Sequence, residues 1–168
     1  MRNLLAVVGA VLLCSQLVQA QEKATKAEIK PLKVLLVTGG CCHDYDRQKL
    51  ILSEGIGARA KVEFTIVQEG GKSTNHKISI YEKDDWADAY DAVIHNECFS
   101  EVKEPAFTDK ILKPHREGKP AIVIHCAMHC YRDKTDEWFK FIGVTSHKHG
   151  GHFAFEAINL QPDNPIMK

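Results

Sequence analysis

Lys33-Val34-Leu35-Leu36-Val37-Thr38 is a short apolar, β-branched run closed by Gly39-Gly40, the pattern of a buried strand. After it, Leu50, Ile51, Ile56 and Ala60 recur at helical spacing and predict a helix over 46–60, with Gly55 and Gly57 near its end. Lys61 to Val67 alternates polar and apolar and predicts a second strand, and the Gly, Ser, Asn and Lys of 68–80 predict a loop. A third strand is expected at Tyr90 to Asn96, beyond an acidic stretch around Trp86. Pro105 opens a helix over 104–116 with Ala106, Ile111 and Leu112 inward. Gly118-Lys119-Pro120 turns the chain into a fourth strand, Ala121 to Ile124, with Ile122, Val123 and Ile124 all expected to be buried. Thr135 caps a short helix to Ile142, with Trp138, Phe139 and Ile142 inward, and His152 to Ile158 alternates as a fifth strand.

Strands alternating with helices predict an α/β fold, a doubly wound, mainly parallel sheet with helices on both faces. Ligands bind such sheets at the carboxyl ends of the strands, near the switch in strand order. Strand one delivers Cys41, Cys42, His43 and Asp44 to that edge; strand three delivers His95, Asn96, Glu97 and Cys98; strand four delivers His125, Cys126 and His129.

These residue types support several chemistries. His43, His125 and His129, with Asp44 or Glu97, are the ligand types that zinc or another divalent ion prefers. The alternative is a polar pocket hydrogen-bonded to backbone and water. Cys126, just past a buried strand with histidines nearby, has the place of an activated thiolate, and Met128 stands where a tight nucleophile turn wants a small residue. His43, Asp44 and Glu97 suit proton transfer on a small polar substrate, and Tyr45 and Trp86 suit stacking on a sugar ring. Asp44 also has the position of a helix cap. His147, His149 and His152 cluster with Gly150-Gly151, either as metal ligands or as a loop covering the pocket.

Composition narrows the classes. The chain has 168 residues, zero formal net charge and no basic run, which argues against nucleic acid as a partner. Residues 1–20 have a positive start, an apolar stretch from Leu4 to Leu13 and a small-residue cleavage site ending at Ala20. They read as a secretory signal peptide, followed by a polar linker over 21–31. The mature protein is expected to be exported, periplasmic or extracellular, without stable membrane insertion. Cleavage leaves Cys41, Cys42, Cys98, Cys126 and Cys130. Adjacent Cys41 and Cys42 are expected not to bond each other, and pairing among Cys41, Cys98 and Cys126 requires strands that end side by side.

Residues 33–168 resemble the ThuA-like (trehalose utilisation) family. The resemblance is carried by KVLLVTGGCCHDY, DAVIHNECF, FTDKILKPHREGKPAIVIHCAMHCYR, DEWFKFIGVTSHKHGGH and INLQPDNPIMK. The family's His-Asp turn after the first strand is matched by His43-Asp44, and its strand ending in His plus small residues by His125-Cys126-Ala127. Trp138, Phe141, Gly143 and His147 or His152 match its later aromatic, Gly and His positions. The chain departs from the family in reading Asn164-Pro165 for His-Pro, and in ending at Lys168, before the family's late acidic and Gly-His motifs. The resemblance implies a flavodoxin-like sheet of the class I glutamine-amidotransferase kind, in a domain over 32–168 that lacks its C-terminal part. It also implies a sugar-processing protein acting on a disaccharide or keto-sugar. His43, Asp44, His125 and His129 are then the expected catalytic set, with Tyr45, Asn96, Glu97, His147 and His152 binding substrate and a divalent metal assisting. A non-catalytic carbohydrate-binding module and a redox protein using Cys126 remain the alternatives.

Overall fold

The computed structural model describes residues 29–151 and 153–167. The expected leader and His152 lie outside the described residues. Four strands form one sheet: β1 (Leu32–Gly40), β2 (Val62–Gln68), β3 (Ala92–Cys98) and β4 (Ala121–Val123). Their order is β2-β1-β3-β4 and every pairing is parallel, so the fold is α/β as the alternation of elements predicts. The chain leaves β1 on one side to make β2 and crosses to the other side to make β3. The switch point therefore lies between β1 and β3, which places the edge that matters.

Alternation within β1 sends its side chains into two separate apolar clusters. Leu35 and Val37 join Val93 with Phe107, Ile111 and Leu112 of helix α2 (Pro105–Arg116). Trp138 and Phe139 of α3 (Glu137–Ile142) complete that cluster. Val34 and Leu36 join Ile94 instead, covered by Leu52 and Ile56 of α1 (Tyr45–Gly57). Among the described residues no helix is long and apolar enough to cross a membrane.

Several expectations fail, Ala106 among them, since it is exposed and not inward. Residues 153–158 form no strand, and Phe153, Phe155 and Ile158 are exposed: alternation alone supplies no partner edge. β4 is three residues long and is one of the two edge strands of the sheet, so Ile122 is 54% exposed and Val123 and Ile124 are only half-buried, where all three were expected to be buried. The short helix begins two residues after Thr135, whose hydroxyl and amide are both turned to Asp133 Oδ1, so Thr135 does not cap it.

The carboxyl end of β1 depends on its glycines. Gly39 and Gly40 have φ of 131° and 100°, and a Cβ on either would stand 2.1 Å from the Glu69 carbonyl oxygen or 2.4 Å from that of Cys98. No other residue folds the strand back there without displacing β3 or the loop after β2. This turn sets Cys41, Cys42 and His43 over the sheet edge.

Candidate functional site

α1 starts directly after that turn. Asp44 is its N-cap, its Oδ1 accepting from the Arg47 amide at 3.0 Å. The carboxylate proposed for proton transfer is therefore engaged in holding the helix start. His43, one residue earlier, points across the edge, with its Nε2 2.9 Å from Cys126 Sγ. Its ring meets that of His125 edge-on, with centroids 4.8 Å apart. His125 and Cys126 open the 3-10 turn His125–His129 that follows β4. His125 itself has φ of 43°, an uncommon conformation for a non-glycine residue, and it turns the chain so that the imidazole and the next thiol face one side. The Ala127 carbonyl fixes this turn by accepting from the Trp138 indole at 2.9 Å.

The expected approach of His125 to His43, from the ends of strands four and one, is thus present. The ligand atoms of His43, His125 and Cys126 lie within 4.8 Å of one another, a group able to hold a metal ion. Burial, followed by the neighbouring His43, His149 and His129 rings, holds the His125 pKa below its ordinary value. The shift favours the neutral imidazole, the form that binds metals and accepts protons.

His129 was expected among the ligands and is not in this group. It is buried, its Nδ1 lies 3.0 Å from the Ser146 carbonyl oxygen, and Cys126 takes the third place. In the histidine loop, His149 lies against the site, its ring 5.4 Å from that of His125 and 5.8 Å from that of His129. His147 packs edge-on against Phe139. The HKHGGH spacing could not tell these two apart, because the loop has no regular period.

A cavity of about 230 Å³ opens beside the pair, lined by His43, Gln48, Asn96, Ile124, His125 and Cys126. Asn96 is there as expected, its Nδ2 donating to Gln48 Oε1 at 3.1 Å. Gln48 was missed, although it stands one helical turn beyond Asp44 and so on the face toward the sheet edge. A wider groove of about 800 Å³, lined by Cys42, His43, Asp44, Gln68 and Lys72 among others, lies on the other side of His43.

Four residues expected at the rim belong to the interior, His95 among them. Glu97 follows Asn96 on β3 and so faces the other side of the sheet, where it is fully buried. Its Oε1 accepts from the Tyr81 and Tyr131 hydroxyls at 3.0 Å each and lies 3.0 Å from His95 Nδ1. Trp86 is buried with its indole donating to the Lys110 carbonyl, so it cannot stack on a sugar. Tyr45 is buried and donates to the Cys41 carbonyl, and burial raises its pKa.

The cysteines differ from expectation as well. Cys41 and Cys42 form a disulfide, while Cys98, Cys126 and Cys130 are free and buried. Cys42 has φ of 85°, which lets the chain close a bridge between neighbours that an extended backbone forbids. Strands one, three and four do end side by side, with Cys98 Sγ 3.7 Å from Cys41 Sγ. The neighbouring Cys126 and Cys130 thiols pull the Cys98 thiol below its ordinary value, and Cys98 pushes Cys126 up.

Comparisons with protein-family models, curated proteins and solved structures returned no match for this chain.

Proposed function

We propose that the protein is an exported, ThuA-like sugar-processing protein that acts on a disaccharide or keto-sugar at the carboxyl edge of its sheet. The observation that carries the reading is the convergence of His43, His125 and Cys126 within 4.8 Å beside a cavity with polar and apolar walls. A small polar substrate fits such a cavity: Gln48 and Asn96 offer amide groups to hydroxyls, and Ile51, Leu52 and Ile124 offer an apolar wall.

In this reading the histidines do the proton work. Neutral His125 accepts a proton from a substrate hydroxyl or from the carbon next to a carbonyl, and His43 lies close enough to share it. His43, His125 and Cys126 have the donor chemistry of a zinc-type site. A divalent ion held there would supply polarisation of a carbonyl or hydroxyl in place of that proton transfer, since a ligated imidazole nitrogen accepts no proton.

One observation favours a second reading, a carbohydrate-binding module without turnover. Neither candidate carboxylate reaches the cavity, since Asp44 caps α1 and Glu97 faces the core. Incubation of the full chain with 3-keto-glucosides and ordinary glucosides, with and without chelator, separates the two. Turnover that is lost in His125→Ala supports the enzyme. Saturable binding without product supports the module. Neither binding nor turnover overturns the sugar reading.

A further inference from the structure

A second group of ligand-type atoms lies next to the histidine site and shares no residue with it. The sulfurs of Cys41, Cys42 and Cys98 lie within 4.8 Å of one another. The sheet puts them together: Gly40 and Cys98 are register partners on β1 and β3, and Cys41 is the next residue. The positive φ of Gly40 and of Cys42 then turns both neighbouring thiols back toward β3.

The spacing has a chemical meaning. A tetrahedral zinc–thiolate centre with bonds near 2.3 Å holds its sulfurs roughly 3.8 Å apart. Cys41 Sγ and Cys98 Sγ, not bonded to each other, are 3.7 Å apart. Cys42 departs from this arrangement because it is bonded to Cys41. Disulfide sulfurs are not thiolate ligands, so the oxidised chain withholds two of the three donors.

We propose that reduction of the Cys41–Cys42 disulfide opens a three-thiolate site, Cys41, Cys42 and Cys98, for a soft divalent ion such as zinc, and that reoxidation by a disulfide oxidant, which takes the two electrons as its own sulfur–sulfur bond is reduced, re-forms the Cys41–Cys42 bond, expels the ion and closes it. A dithiol or phosphine reductant supplies two electrons; the sulfur–sulfur bond breaks, two protons are taken up, and the reductant leaves oxidised. Metal entry then forms three metal–sulfur bonds and releases one proton from each cysteine. Cys42 is exposed, so the ion enters from the groove, and the fourth position is left to water. Cys130 takes no part, because its thiol donates to the Glu97 carbonyl inside the core.

Cobalt(II) is the probe, added to the full chain with and without a phosphine reductant. The Cys126→Ser variant is used throughout, so that the histidine group contributes no thiolate. A strong thiolate-to-cobalt charge-transfer band, saturating at about one ion per chain, is expected after reduction and not before. It should be lost in Cys98→Ser and kept in His125→Ala, each made in that background. Cys42→Ser, on the exposed side, covers the case where the Cys98 variant fails to fold. It should bind cobalt more weakly and respond no longer to the reductant. A band unchanged by reduction, absent in both states, or surviving Cys98→Ser overturns the proposal. Failure of the sugar reading would leave every one of these outcomes as it stands.

Discussion

His43 and Cys126 are 83 residues apart in the chain, yet the imidazole Nε2 stands 2.9 Å from the thiol. The contact exists because β1 and β4 both end at the same edge of a parallel sheet, with β3 between them. It also selects which of nine histidines matter. Those at a carboxyl strand end gather, whereas His95 and His115 meet in the core with nitrogens 3.1 Å apart.

Zinc binding to the oxidised protein tests this geometry. His43→Ala and His125→Ala should each weaken binding by about 100-fold or more, because loss of an outer-shell partner alone costs 10–100-fold. His129→Ala, outside the group, should stay within about threefold of wild type. Competition against a chromogenic chelator measures all three, and equal losses at His129 and His125 would refute the assignment.

Gly40→Ala should destabilise the fold by about 2–4 kcal/mol, combining a left-handed backbone with a clash against the Cys98 carbonyl. Gly57→Ala is the control, since a Cβ there meets nothing within 4 Å. Urea denaturation of both variants reads the difference. Similar midpoints would mean that the β1 turn tolerates side chains.

Glu97→Ala removes the acceptor for two buried tyrosine hydroxyls and should cost about 3–5 kcal/mol. Sugar affinity of the folded variant should be unchanged, because the carboxylate faces away from the cavity. Calorimetric titration alongside denaturation checks both halves. Lost affinity with unchanged stability would return Glu97 to the rim.

The His115 pKa is lowered to about 4, first by burial and then by His95. Its unfolded value is near 6.5. Between these values the unfolded chain binds a proton that the folded chain does not, so stability rises with pH across that window. Acidification from about 6.5 to 4 should therefore cost up to about 3 kcal/mol, levelling below. His115→Gln should flatten this part of the curve in urea midpoints taken from pH 7 to 4, and an unchanged slope would refute it.

The sheet and its edge were legible in the sequence because β1 and β3 are apolar on both faces and end in polar, reactive residues. That reading brought His43, His125 and Asn96 to one place. Glu97 was misplaced because a strand alternates: its neighbour Asn96 took the cavity side. The Cys41–Cys42 bridge was hidden because it depends on one backbone angle at Cys42, which no residue type announces. The alternating 153–158 segment shows the opposite limit, a strand pattern without a strand to pair with.

β4 is three residues long and is hydrogen-bonded on one side, yet the turn that follows it carries His125 and Cys126. Short outer elements open locally at a free energy well below that of the whole domain. His43 stands on the part that persists through such openings, and its partners stand on the part that leaves. An intact site is therefore a population, a fraction of molecules at any instant. The bond from Trp138 to the Ala127 carbonyl, which holds the turn that bears both residues, is one of the forces that set that fraction.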